Sequence, residues 1–172
     1  MYSNFAAVEL RSNSFLATES DSTRAVDVVV DAPPDSSGLL QLSNNAFQAR
    51  SAGSIRPGCA VGTGVQVQNA WNLSDRQNTG CGIAAVPAGS LLLQPPATLG
   101  GPADVIAPLP GSTAIDAGNP AAADASSWDR CMFADARGVP RPQDGDGDGI
   151  ARCDVGAMEF TPDALFADGF EP

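Results

Sequence analysis

The sequence has no histidine and no lysine: all nine basic residues are arginines, against twenty carboxylates, for a formal net charge of -11. The missing imidazole excludes a Ser-His-Asp triad, a Cys-His pair and any zinc site that needs histidine. The acidic balance argues against a nucleic-acid partner, because neutralising phosphates requires a clustered basic surface. We therefore predict no nucleic-acid partner.

Long apolar runs are also missing. No stretch approaches the roughly 18 to 20 apolar residues of a transmembrane helix. Residues 1–17 contain Glu9 and Arg11 and lack the apolar region of a signal peptide. We predict no transmembrane segment, and a secreted protein would then require this chain to be the distal part of a longer product.

The composition indicates an all-β fold. The 172 residues include 18 glycines and 14 prolines, more turn formers than a helix bundle tolerates. This length suits one domain that buries roughly two thirds of the surface of its unfolded chain. Charged residues make up only 17% of the chain, so a sizeable apolar core is available.

Short alternating strands ending near an asparagine recur in the first half, at 8–15, 40–47 and, more loosely, 65–71. Roughly 32 residues separate Leu10 from Leu42 and roughly 25 residues separate Leu42 from Val67, and both intervals suit β-helix turns. This pattern favours stacked parallel coils, in which each strand pairs with its counterpart one repeat away. Equivalent corners would then hold the asparagines Asn13, Asn44 and Asn69. An irregular antiparallel β domain is the alternative.

The four cysteines form two pairs with identical spacing, Cys59 with Cys81 and Cys131 with Cys153. Three connectivities exist, and local pairing is the simplest. Each local disulfide would contribute roughly 3 kcal/mol in the chain-entropy model. Because no C-x-x-C motif suggests a metal site, we favour disulfides and an oxidising compartment over free buried thiols.

The second half carries an ordered series of short motifs. They are GGP at 100–102, PGSTAIDAG at 110–118, DARGVPRP at 135–142 and CDVGAMEF at 153–160. This series resembles the C-terminal region of bacterial secreted right-handed β-helix proteins of the choice-of-anchor Q group, over roughly residues 90 to 160. Thr113 stands where that pattern usually has proline, and Met158 where an aromatic residue is common.

The resemblance implies a right-handed parallel β-helix with an irregular C-terminal cap. The expected organisation is β-helix coils over 1–99, a capping or anchor-type region over 100–160 and a short tail over 161–172. We expect Asp116 to accept backbone N–H bonds in an Asx-type turn, with a catalytic acid as the alternative. We expect Asp135 and Arg137, with Arg141, to form a structural ion pair that holds the proline-rich turn of the cap. A clamp for an anionic sugar is the alternative.

The segment 144–149 alternates aspartate and glycine and matches the front half of an EF-hand-like calcium loop. We predict Asp144, Asp146 and Asp148 as calcium ligands. The second half of such a loop is missing, because Ile150 falls at position seven and Val155 at position twelve. A solvated acidic turn between Cys131 and Cys153 is the alternative.

The leading functional expectation is a non-enzymatic secreted or cell-surface module acting in adhesion or surface display, as the C-terminal part of a longer protein. Upstream β-helix coils and polysaccharide or cell-surface components are the expected partners, at the extracellular or outer-membrane surface of a bacterium. The alternative is a polysaccharide lyase or glycoside hydrolase, which needs paired carboxylates. Its candidates, Glu9, Asp27 and Asp31, fall on separate parts of the early strands without a clustering motif. If Val28 and Val30 point inward, Asp27 and Asp31 point outward, as on an ordinary solvated face. A nonfunctional fragment is the third hypothesis.

Overall fold

The computed structural model describes residues 5–16, 28–32, 36–49, 58–76 and 81–162. Within these ranges the chain forms eleven short strands and no α-helix, so the prediction of an all-β chain is confirmed. The tail from residue 163 onward, and Asp27, lie outside the described residues. The strands are β1 (Phe5–Arg11), β2 (Ser14–Leu16), β3 (Val28–Val30), β4 (Ser37–Ser43), β5 (Ala46–Gln48), β6 (Cys59–Val61), β7 (Val65–Ala70), β8 (Leu73–Ser74), β9 (Ala84–Ala85), β10 (Ala97–Thr98) and β11 (Asp104–Val105).

The first nine strands form three parallel sheets, ordered β1-β4-β7, β2-β5-β8-β9 and β3-β6. Phe5 pairs with Ser37, and Gly38 pairs with Val65. The offset in sequence between paired residues of β1 and β4 therefore equals the predicted spacing. The offset between β4 and β7 is longer than predicted by an even number of positions. An even shift leaves every side chain on its own face of the sheet. The remaining pair, β10 and β11, is antiparallel.

One apolar cluster lies between the parallel sheets, and alternate strand positions supply it. Phe15 stacks on Phe47 with ring centroids 4.6 Å apart and an interplanar angle of 8°. On β3, Val28 is buried whereas Val29 is 59% exposed, and the predicted outward-facing Asp31 is exposed. The buried members of the cluster are Val28, Leu40, Leu42, Phe47, Cys59 and Ile83.

The corners between the first and second sheets share one backbone conformation. Ser12, Asn44 and Trp71 have φ of 53°, 54° and 58°, and the register places them in one row. The next residue in each layer is an asparagine, and the three asparagines, Asn13, Asn45 and Asn72, hydrogen-bond to one another. The predicted row of Asn13, Asn44 and Asn69 was therefore wrong, because the left-handed residue precedes the stacked asparagine and Asn69 is paired with Leu42.

The C-terminal half is mostly loop and packs on the outer side of the second sheet. Ala46, which alternates with inward-facing Phe47, forms a second buried cluster with Leu91, Leu93, Ala114 and Val155. The backbone N–H of Gly156 donates to the Asn44 carbonyl at 2.8 Å, and the N–H of Ala157 donates to Ser14 Oγ at 2.9 Å. These contacts run along the side of the parallel strands, and the organisation into coils, cap and tail stays a prediction.

Two disulfides join the pairs that the spacing favoured. Cys59 and Cys81 are linked in the parallel region, and Cys131 and Cys153 in the C-terminal segment. Cys131 and Cys153 are fully buried. Each bond therefore fastens a loop region to residues that already belong to a packed core.

Candidate metal site and the buried charges around it

Asp116 organises the acidic loop although it lies well before the loop in the sequence. The residue is buried and has a left-handed φ of 52°. Its Oδ2 accepts the N–H groups of Gly145 and Asp146 at 2.9 and 2.8 Å, and its Oδ1 accepts the N–H of Arg152 at 3.1 Å. The Asp116 carboxylate thus holds both ends of the loop, a larger role than the local Asx-type turn that we predicted.

Asp144 shapes the loop from inside. Its two carboxylate oxygens accept the N–H groups of Gly147 and Gly149 at 2.7 and 2.9 Å. Both glycines have positive φ, 78° and 86°, a conformation that strongly favours glycine. The alternation of aspartate and glycine therefore suits the backbone conformation of the loop as well as metal binding.

Three carboxylates converge at this loop. Asp116, Asp144 and Asp146 each offer an oxygen, and these oxygens lie within 4.8 Å of one another. Carboxylate oxygens are the ligands that hard divalent cations prefer. The arrangement could bind a metal ion, and the backbone bonds to Asp116 and Asp144 hold two of its three oxygen donors in place.

Asp148, the third predicted ligand, lies outside this convergence. Its Oδ1 accepts the N–H of Ile150 at 2.7 Å, and its Oδ2 lies 3.4 Å from Arg152 Nη1. The cluster of three converging carboxylates contains Asp116 and not Asp148. No local sequence signal links Asp116 to the loop, because the connection depends on how the C-terminal segment folds back on itself.

Asp135 and Arg137 form a two-pronged ion pair within one turn. Asp135 Oδ2 accepts hydrogen bonds from Arg137 Nε at 3.0 Å and from Nη2 at 2.7 Å, and it also accepts the N–H of Glu159 at 3.1 Å. Burial acts to raise the pKa of Asp135, but the hydrogen bonds from Arg137 and the backbone outweigh it and leave that pKa below its usual value. Both side chains are therefore engaged in contacts within the chain.

Behind that turn lies a buried group with two carboxylates and one arginine. Arg141 Nη1 is 3.2 Å from Glu159 Oε1, and both side chains are fully buried. Glu159 also accepts the N–H of Asp154 and of Gln143, each at 2.9 Å. Burial raises the pKa of Glu159. Burial and the neighbouring Glu159 charge raise the pKa of Asp154 to about 7.

The two described candidates for carbohydrate chemistry, Glu9 and Asp31, lie in different parts of the fold. Glu9 is on β1 and forms an ion pair with Arg11, whereas Asp31 follows β3 in a different sheet. Arg11 in turn donates to the carbonyls of Ser127 and Ala125 at 2.8 and 3.0 Å. Asp27 lies outside the described residues.

No protein-family profile, curated protein or solved structure matches this chain. In the part of the chain that the structure describes, no helix is long and apolar enough to cross a membrane.

Proposed function

We propose that the chain is the C-terminal part of a secreted or cell-surface right-handed parallel β-helix protein and acts as a non-enzymatic module in adhesion or surface display. The in-register parallel pairing of β1, β4 and β7 and the motifs shared with choice-of-anchor Q proteins support this assignment. Two disulfides favour an oxidising setting outside the cytoplasm. We assign the bacterial extracellular or outer-membrane surface as its location.

The non-enzymatic interpretation rests on one observation: charged side chains bond to the protein's own backbone and to one another. Asp116, Asp135 and Glu159 are buried and accept backbone N–H groups. The arginines within the described residues also bond to groups of the chain itself, either backbone carbonyls or carboxylates. They are Arg11, Arg76, Arg130, Arg137, Arg141 and Arg152. These groups support a scaffold, whereas hydrolysis or lyase chemistry needs acids and a cation turned towards a bound sugar.

A polysaccharide panel tests this proposal. The oxidised chain is incubated with acidic and neutral polysaccharides, and both binding and the release of reducing or unsaturated ends are measured. We expect no product above that of the heat-unfolded chain, and retention of the folded chain on at least one polysaccharide or on bacterial surfaces. Turnover that Glu9→Gln abolishes would overturn the proposal in favour of the lyase or hydrolase alternative.

Calcium is the cation that we propose for Asp116, Asp144 and Asp146. Calcium accepts six to eight oxygen ligands in irregular geometry, so backbone carbonyls and water can complete a shell that begins with three carboxylates. Screening by a cation would also relieve the repulsion among the three negative charges. The ion would then fix the loop that Asp116 holds.

Thermal unfolding with excess calcium and with chelator tests the calcium proposal. At about 100 times the dissociation constant, calcium should add roughly 2.7 kcal/mol, a rise of about 5–10 °C for a chain of this size. We expect Asp146→Asn to remove that rise. Asp148→Asn is the matched control, because both carboxylates accept the N–H two residues ahead and only Asp146 belongs to the cluster. Equal loss in both variants would contradict the assignment.

A further inference from the structure

The row of corner asparagines has a direction. Asn45 Oδ1 accepts the backbone N–H and the Nδ2–H of Asn13 at 2.9 and 3.0 Å. Asn72 Oδ1 accepts the same two groups of Asn45, both at 2.8 Å. Every bond from one asparagine to the next therefore runs from a layer to the following one. Asn45 and Asn72 Nδ2 also donate back to the Leu10 and Leu42 carbonyls, at 2.8 and 2.7 Å.

The row is closed at its Asn72 end. Asn72 Nδ2 donates to Asn69 Oδ1 and to the Ala70 carbonyl, at 2.5 and 3.1 Å. Asn69 Nδ2 in turn donates to the Gly82 carbonyl at 2.5 Å. The strand β9 pairs with β8 beside it, so the side-chain amides at this end are satisfied by the chain itself. Strand β7 pairs, among the described strands, with β4 alone.

The Asn13 end is open. The backbone N–H and Nδ2 of Asn13 donate to Asn45 and to the Arg11 carbonyl. Its Oδ1, which in Asn45 and Asn72 receives two donors, receives none from the described residues. On the same side of the molecule β1 offers a strand of backbone that pairs, among the described strands, with β4 alone.

An apolar surface continues this edge. Phe15 is half-buried and stacks on Phe47 of the following layer. By the register of β2 and β5, the opposite face of the Phe15 ring points to the side from which a preceding layer would approach. A strand laid against β1 would thus gain backbone bonds, a side-chain acceptor and an aromatic contact together.

We propose that the edge formed by β1, Asn13 and β2 docks a parallel strand–corner–strand segment whose corner carries an asparagine. The docked asparagine would donate its backbone N–H and Nδ2–H to Asn13 Oδ1, and its strand would continue the β1-β4-β7 sheet. The segment is a preceding layer of the parent protein, since the closed Asn72 end of a second copy has its Nδ2 donor engaged. This proposal rests on the proposed β-helix architecture.

The test supplies such a layer from the protein's own sequence. A copy of residues 5–36 is placed directly before residue 5 of the chain, which reproduces the observed offset between Phe5 and Ser37. Hydrogen exchange of the original β1 amides is compared with that in the unextended chain. We expect at least tenfold slower exchange for the outward-pointing amides of β1 and a higher melting temperature.

Two variants of the added copy separate docking from a general effect of chain length. Asn13→Asp in the copy removes the Nδ2–H donors and places a negative charge against Asn13 Oδ1, so most of the protection should disappear. Glu9→Gln in the copy changes an exposed side chain of the same strand and should preserve it. Equal protection with both variants would overturn the role of the asparagine.

The remaining outcomes are also decisive. Unchanged β1 exchange with protected β4 and β7 would overturn the docking proposal and leave the parallel stack intact. Rapid exchange of β4 and β7 in the unextended chain would instead contradict the architecture beneath the proposed function. If the extended chain does not fold, a synthetic peptide of residues 5–16 is added to the unextended chain. We then expect saturable protection of β1 that the Asn13→Asp peptide lacks, and its absence overturns the proposal.

Discussion

Asn45 makes the densest set of bonds at the corner between β4 and β5. Its Nδ2 donates to the Leu10 carbonyl and to Asn72 Oδ1, both at 2.8 Å, and its Oδ1 accepts two donors from Asn13. The residue is fully buried. Removing its amide would take away the bonds that it supplies to the Leu10 carbonyl and to the Asn13 backbone N–H, both partly buried. Leaving a buried polar group unsatisfied costs about 1–3 kcal/mol.

We therefore predict that Asn45→Ala lowers the free energy of unfolding by about 2–4 kcal/mol. Urea titration followed by circular dichroism measures the change. The control is Gln41→Ala, which removes an exposed amide pairing with Gln68 at 2.7 Å and should cost less than about 1 kcal/mol. Similar losses in the two variants would show that the asparagine row adds nothing beyond an ordinary polar contact.

The structure differs from the single-residue predictions where backbone geometry or a residue distant in sequence decides the contact. Asn44 and Asn45 are adjacent and identical in type, and only the left-handed φ of Asn44 decides which of them turns inward. Asp148 continues the aspartate pattern without a break, yet Asp116 takes its place beside Asp144 and Asp146. Sequence spacing predicted the type of residue and its approximate position. Backbone geometry determines which particular asparagine or aspartate makes the contact.

Among the elements, the C-terminal turn that contains Asp154 carries a distinctive buried charge. Asp154 Oδ1 accepts the N–H of Asp116 at 2.8 Å, and Oδ2 accepts the N–H of Phe160. Burial and the Glu159 charge raise the pKa of Asp154 to about 7, from an ordinary value of 3.8. Between these values the folded chain binds a proton that the unfolded chain has released.

This difference predicts that stability falls as pH rises from about 4 to about 7, because a raised carboxyl pKa favours the folded state only while the group is protonated. Glu159, whose pKa is also raised, acts in the same direction. Urea midpoints measured in chelator across this range test the prediction. Asp154→Asn should flatten the dependence even if it lowers stability overall.

Asp135, in the same C-terminal segment, affects stability with pH in the opposite direction to Asp154. Its pKa is lowered, so its contribution is present above its unfolded pKa and is lost only as pH falls through the lower folded value. That loss lies in more acidic solution than the window assigned to Asp154. A wild-type midpoint that rises steadily from pH 4 to 7 would contradict the pKa shift of Asp154.

The strands were more predictable than the segment that covers them. Alternation of apolar and polar residues located β4 and β7, and the spacing of Leu10 from Leu42 gave the pairing of β1 with β4 because a parallel register repeats the same pattern. Nothing comparable marks residues 91–160, where isolated contacts such as that between Gly156 and Asn44 replace periodic ones. The alternation of apolar and polar residues therefore could not predict that these residues pack on the outer face of the second sheet.

At the scale of the whole molecule, the parallel sheets and the C-terminal segment share one packed interface. Ala46 of β5 lies in the same buried cluster as Ala114 and Val155. Asn44 accepts the N–H of Asn119 with its side chain at 2.9 Å, and its carbonyl accepts that of Gly156. These contacts couple the two regions that the sequence suggested as separate units, 1–99 and 100–160.

Removing one disulfide measures that coupling. We predict that Cys131→Ala with Cys153→Ala costs roughly 3 kcal/mol, because the bond closes a loop with a sequence separation of 22. The expected fall in melting temperature is about 6–12 °C. Alanine is chosen because both positions are fully buried and a serine hydroxyl would need a partner there.

The shape of the unfolding transition reports the coupling between the two regions more directly than its midpoint does. If the shared interface couples the regions, near-ultraviolet circular dichroism of the C-terminal aromatic residues and far-ultraviolet signals from the strands will lose intensity together, in one transition at the lower temperature. Cys59→Ala with Cys81→Ala removes a bond of equal sequence separation from the parallel region and should give the same coincidence. Two separated transitions in the first variant would mean that the segment folds on the sheets without stabilising them, and the outer-face contacts would then be incidental to the stability of the stack.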